Sequence, residues 1–455
     1  MTPRSARPNE ISLEHAITAQ SAIVGIFLAA TGPATAQGVG GFVEARGSYQ
    51  VGVSGVPWQL VQRVRPRFEA PLGAERWRLS TTIEAALAQG ATPQGALKQA
   101  IADSPLQQSL DLAGCTWPEP ANGWLGVSAV SDYLLVDRLF IDTYQPRFDL
   151  RVGRQAVQWG SALVVNPTDP YPQVLATEPW RPRSGVNSAR LTVPLADRHQ
   201  VQAVIGVDDT FSRPRAAIRA TANALQTDWS LVSAYREESD ELLAGIDIKG
   251  TLGVGFWIEG ALHLRELFDA DEPVRVTDEL ALGVDYSLPV LEQVVLVAQY
   301  YRNGAGGRTP DDYGPGGQLS TGVQPPDCAG GEDLFGTPVA TDPFAPFFAA
   351  RNYGMVSVLA GLHPDVSVSA TVLQNLDDGT GFAIPTVSVR PGSSVELSLS
   401  GQLPYRLWGR GGELSPRDDD LVLNVDMAEG APPVTVDLTG LVPDATLTLW
   451  SRVSF

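Results

Sequence analysis

Segments of about ten residues in which apolar and polar side chains alternate recur along most of this chain. A period of two restricts each of them to an extended strand with two unlike faces. Leu280, Leu282, Val284, Tyr286 and Leu288 alternate with Ala281, Gly283, Asp285 and Ser287. Val254, Phe256, Ile258, Gly260, Leu262 and Leu264 alternate with Gly255, Trp257, Glu259, Ala261, His263 and Arg265. Ala216 to Asn223 and Val395 to Ser400 repeat the pattern. Strands with one apolar face and one polar or small face suit a wall between lipid and a wet lumen. A soluble sandwich also alternates, but with more Lys and Thr on its polar face and over fewer strands.

The connections test this independently, because such a wall has short turns at one rim and long loops at the other. Starting upward at Phe42, short turns fall near Pro71-Leu72-Gly73, Gln145-Pro146, Leu195 to Arg198, Gln226-Thr227, Thr251-Leu252, Pro289, His363-Pro364 and Gly392-Ser393. The long connections, near 90–130, 160–185, 304–350 and 406–443, then all land at the opposite rim. The expected fold is all-β: a transmembrane antiparallel up-and-down barrel of about eighteen strands, sixteen being the nearest alternative. Residues 434–438 are expected as part of a loop hairpin, and residues 95–112 suit either a short amphipathic helix or an irregular loop.

Both ends agree with export to an outer membrane. Arg4 and Arg7 precede an apolar stretch from Ser21 to Ala30, and Ala34-Thr35-Ala36 offers a small-x-small cleavage pattern before Gln37. Residues 1–36 are therefore expected as a signal peptide and residues 37–455 as the barrel. A short buried N-terminal helix is the alternative. At the other end Leu447, Leu449, Val453 and Phe455 share a face. That pattern resembles the C-terminal signal read by the outer-membrane insertion machinery, with departures at Ser451 and Val453. Expected partners are that machinery, outer-membrane lipid and lipopolysaccharide.

Composition excludes other classes. No apolar run is long enough for a membrane helix, and a net charge of -19 disfavours nucleic acid. Asp208-Asp209, Asp269 to Glu272, Asp311-Asp312 and Asp418 to Asp420 fall in loops, where they suit either solvation or calcium shared with lipopolysaccharide phosphates. The 2 cysteines, Cys115 and Cys328, both lie in long loops. A bridge between them and two separate thiols are equally compatible with the sequence.

A second landmark reads Leu150-Arg151-Val152-Gly153-Arg154-Gln155, then Trp159-Gly160, then Asn166-Pro167-Thr168-Asp169. It resembles a motif of a poorly characterised group of proteobacterial outer-membrane barrels, in which "RVGRQ…WG" runs into "NPTD". Some members of that group accompany inner-membrane exporters of the resistance-nodulation-division type, so the resemblance implies an exporter as partner and apolar cargo. The residues themselves allow an Asx or type I turn that folds the loop back, either into the lumen or over the outside.

The lumen face carries Arg63, Arg65, Arg67, Arg78, Arg147, Arg151, Arg190 and Arg219, with Glu69, Glu84, Asp149, Asp247, Glu259, Asp285 and Glu396. Guanidinium groups facing acids set up a transverse field that favours anions near the basic wall, or else a network that braces the barrel. Among the 4 histidines only His263 has an acid on its own face, Glu259, and that pair is expected to be solvated. No nucleophile–base set, metal motif or phosphate loop is present, so no cofactor, metal or catalysis is expected. The sequence points to transport, by a porin-like channel or a conduit for small polar, amphiphilic or lipidic solutes. A structural or adhesion barrel with a packed lumen is the main alternative, ahead of an outer-membrane hydrolase.

Overall fold

The computed structural model describes residues 38–53, 56–73, 76–90, 122–123, 126–128, 133–171, 182–207, 211, 213–237, 239–268, 273–312, 348–408, 412–415, 422–425, 434–437 and 443–455. The expected signal peptide, the stretch 95–112, both cysteines and most of the acidic loop clusters lie outside the described residues.

Alternation of apolar and polar residues becomes eighteen wall strands. They are β1 (Val39–Val51), β2 (Trp58–Pro71), β3 (Trp77–Gly90), β4 (Tyr133–Tyr144), β5 (Asp149–Gln155) and β6 (Val186–Ala196). Next come β7 (His199–Val207), β8 (Arg215–Ala224), β9 (Thr227–Arg236), β10 (Glu241–Thr251), β11 (Gly255–Arg265) and β12 (Arg275–Leu288). The last are β13 (Gln293–Asn303), β14 (Asn352–His363), β15 (Val366–Asn375), β16 (Thr380–Val389), β17 (Val395–Arg406) and β18 (Ala445–Ser454). Each pairs antiparallel with the next, and β18 pairs with β1 from Phe42↔Ser454 to Val51↔Ala445, which closes the barrel. Two short pieces, Asn122–Gly123 and Gly126–Ser128, extend the sheet beside β4.

Closure with an even strand number puts both ends at one rim. There the Phe455 and Gly41 backbones exchange two 3.0 Å hydrogen bonds. All eight expected turns lie at this rim, and the four long connections lie at the other. In the last of these, Val422–Val425 pairs with Val434–Asp437 as a separate hairpin.

The outer face is the apolar one. Ile218, Leu231, Ile258, Leu282, Leu399 and Leu449 are exposed on it, which is stable only against hydrocarbon. Exposed Phe68, Trp77, Trp229 and Tyr286 mark the turn-rim interface, where amphipathic rings prefer to sit. No described helix is long and apolar enough to cross a membrane, so strands alone form the wall.

The lumen is divided. Towards β6–β16 it is filled by two apolar clusters, one around Trp257, Tyr301, Phe348 and Tyr353, the other around Trp159, Val204, Val232 and Leu243, together with buried polar and charged groups such as Glu241, Asp247, Glu259 and His263. Towards β17–β5 it is lined by charge.

Candidate functional site

The charged wall is a chain of alternating signs across the closure seam. Arg452 on β18 donates to Glu44 on β1 (2.7 and 3.2 Å), which also accepts from Arg63 on β2 (3.0 Å). Arg63 and Arg65 each lie 3.3 Å from Glu84 on β3, and Arg65 reaches Asp137 on β4. Arg138 then lies 2.9 Å from Asp137. Two neighbours, Asp137 and Arg138, can both face inward because the β3–β4 register shifts opposite Thr82 and Ile83. Such a bulge adds a residue that strict alternation does not anticipate. Arg63, Arg65 and Glu84 are thus buried braces of the wall.

Below this brace, towards the turn rim, a cavity of about 760 Å³ opens against β1–β5. Its lining holds five arginines, Arg65, Arg67, Arg78, Arg138 and Arg151, against two carboxylates, Glu69 and Asp142. Arg67 and Arg78 remain largely solvated, with side chains 60% and 54% exposed, and share Glu69 as their acid. Arg151 grips Asp142 and stacks 4.1 Å over the Phe140 ring. Arg190 stands opposite Arg151 in the β5–β6 ladder, and Asp149 is exposed where β5 begins. Farther round the wall, hydroxyl pairs Ser357–Thr371 (2.8 Å) and Ser388–Ser398 (2.6 Å) keep the face polar without charge.

The motif segment packs against β7, β11 and β13. The chain leaves the wall after Gln155, which is fully buried and donates to the Ser188 carbonyl (3.1 Å), and turns into the lumen. The Trp159 indole donates to Gln202 on β7 (2.5 Å), and the Leu163 N–H to Gln299 on β13 (2.8 Å). Asn166-Pro167-Thr168-Asp169 closes as a turn, with the Asp169 N–H on the Asn166 carbonyl (3.1 Å). Asp169 accepts from the Tyr171 N–H (3.0 Å) and from Arg183. Burial pushes its carboxyl up, and Arg183 opposes that shift. Arg154 is buried, and a Cβ on Gly185 would fall 2.8 Å from its Cγ. Gly153 lets β4 and β5 pack, since a Cβ there would fall 2.1 Å from the Leu139 carbonyl oxygen.

Three expectations need correction. Arg147 is not on the lumen face: it sits exposed at the tip of the β4–β5 turn, which the Gln145 N–H closes on the Phe148 carbonyl (2.9 Å). Glu259 and His263 are not a solvated pair, because four residues along a strand separate them by about 13 Å. His263 instead meets Glu241 on the adjacent strand (2.7 Å), with Glu279 3.6 Å away. Asp247 and Glu259 do not line an open path, being 2% and 0% exposed. Asp247 holds Arg219 (3.0 Å), which is thereby a brace as well.

Tyr171, Arg183, Glu241 and Asp137 contribute to these networks and were not singled out from the sequence. Among the described residues, no three His, Cys, Asp or Glu side chains converge as a metal site would require. Of the acidic loop clusters, Asp312 is described, and its carboxylate caps the Arg308 and Thr309 N–H groups (3.0 Å each).

No family model matches the sequence, and no curated protein does. The resemblance of the motif segment therefore rests on those residues alone. Solved structures do match in fold. A double variant of OccD1 (OprD) aligns with TM-score 0.51 and 9% identity, over 92% of this chain and 95% of that one. OprD of Pseudomonas aeruginosa aligns with TM-score 0.50 and 9% identity, over 92% and 94%. At such identity the likeness concerns the backbone: this chain has the eighteen-stranded architecture of outer-membrane porins.

Proposed function

We propose that the chain is an outer-membrane channel that admits small polar or amphiphilic solutes and favours anions. The single observation that carries this reading is the cavity at β1–β5. Arg65 and Arg138 are answered by Glu84 and Asp137, and Arg67, Arg78 and Arg151 against Glu69 and Asp142 leave a net positive charge where Arg67 and Arg78 remain in water. A low-dielectric wall focuses that charge on the path and raises the local concentration of anions. Phe42, Phe140 and Tyr144 line the same cavity, so an apolar portion of a solute has a surface to follow. The matched OprD structures, which share the barrel, support the channel class.

The test is a planar-bilayer recording in a salt gradient. The channel shows discrete unitary steps and an anion-directed reversal potential. Charge reversal by R67E with R78E moves that potential towards cations by about 10–30 mV, since selectivity in a wide pore follows its fixed charge. Discrete steps with an unmoved potential would refute the anion preference. The absence of steps in any buffer would refute the channel.

A further inference from the structure

The inward loop is held by a wall residue that lies far from it in sequence. The Ser161 N–H (2.9 Å) and Ala162 N–H (3.1 Å) donate to one Glu259 oxygen. The Thr168 N–H (2.8 Å) and hydroxyl (2.7 Å) donate to the other. One carboxylate thus clips the outgoing limb of the loop to its returning limb, and both to β11. A cluster of backbone N–H groups is a nest for an anion, and here the occupant is the protein's own side chain. Gly160 belongs to the same device, since a Cβ there would fall 2.4 Å from the Glu259 Oε1 atom and 2.7 Å from the Asn166 Cβ.

We infer that Glu259 is the positioning residue that fixes the constriction loop and so sets the bore. Gln202 and Gln299 are neutral and each accepts one bond from the loop, while Asp137 accepts from the Gly185 N–H (2.8 Å), Arg138 donates to the Arg183 carbonyl and Asp247 bonds the Ser161 side chain. Charge-assisted bonds are roughly twice as strong as neutral ones, and Glu259 accepts four. The apolar packing of Val157, Trp159 and Val165 favours docking without specifying a register, because it is not directional. The carboxylate supplies the direction. It also explains why Trp159-Gly160 and Asn166-Pro167-Thr168-Asp169 are spaced as they are: the spacing brings residues 161 and 168 to the same anion. Only the effect on bore depends on the channel reading; the latch itself does not.

The test uses the full barrel in lipid, in a Cys115→Ser, Cys328→Ser background with Val165→Cys as reporter. Val165 is 3% exposed in the docked loop, so a maleimide modifies the parent slowly. E259Q replaces two acceptor sites with N–H groups that face N–H donors. It is expected to raise the modification rate at least about tenfold, because reactivity tracks the open population. Thr168→Val removes a single hydroxyl donor and raises the rate roughly two- to fivefold. It decides the question if E259Q does not fold. Unitary conductance of E259Q rises with the labelling rate. Labelling within twofold of the parent in a folded E259Q, or in Thr168→Val alone, overturns the latch whether or not current flows. Accelerated labelling without current in any variant keeps the latch and refutes the channel.

Discussion

Removal of Glu44 is the most direct probe of the closure seam. Its carboxylate is 4% exposed and accepts three hydrogen bonds, one from Arg63 (3.0 Å) and two from Arg452 (2.7 and 3.2 Å). Breaking a buried ion pair from one side costs about 3–5 kcal/mol, because the remaining charge is left uncompensated. Here both arginines retain something. Arg63 still has Glu84 at 3.3 Å, and Arg452 still lies over the Phe42 and Trp450 rings (4.3 and 4.6 Å). Each ring is worth about 0.5–1 kcal/mol. The expected loss for Glu44→Gln is therefore about 2–3 kcal/mol, or roughly 30- to 140-fold in the unfolding equilibrium. Urea unfolding of the barrel in lipid vesicles, followed by tryptophan fluorescence, reads this directly. A cycle with Arg452→Met isolates the pair, with an expected coupling of about 1–2 kcal/mol. A loss below about 0.5 kcal/mol, or full additivity in the cycle, would show that lumen water screens the seam and that its charges do not brace it.

Glu413, on the last long loop, accepts from the Ala349 N–H (2.8 Å) and from Tyr353, and burial pushes its carboxyl up to about 7. The docked loop binds this proton more tightly than the free loop, so docking is strongest at acid pH and weakens as pH rises towards 7. Conductance should therefore be greater at pH 8 than at pH 5, and Glu413→Gln should hold the acid value at both; a pH response unchanged in that variant refutes the assignment. Gly153 adopts φ +126 with its missing Cβ 2.1 Å from a carbonyl oxygen, whereas Gly47 has open space around it. Gly153→Ala should cost more than about 3 kcal/mol and abolish the heat-modifiable folded band on gels, while Gly47→Ala folds; equal folding of both would refute the steric reading.

The wall of this barrel was legible in the sequence because the face a strand residue takes is a local property. Leu282 and Gly283 must point opposite ways whatever surrounds them, and lipid outside requires the leucine there. The turns were legible for a related reason: Pro71-Leu72-Gly73 and Gly392-Ser393 interrupt pairing through their own backbones. Where the count of residues is irregular, the local rule fails. The shift opposite Thr82 and Ile83 turns Asp137 inward, and the tight turn at Gln145 puts Arg147 outside the strand.

What each lumen side chain meets was decided by the tertiary structure alone. Glu259 and His263 share a face, yet cross-strand distances are shorter than distances along a strand, so His263 takes Glu241 instead. The partner of Glu259 is a loop about a hundred residues earlier, brought to it by closure of the barrel. Period two fixes which way a residue points. Only the folded loop decides whether it points at water, at a partner or at the constriction.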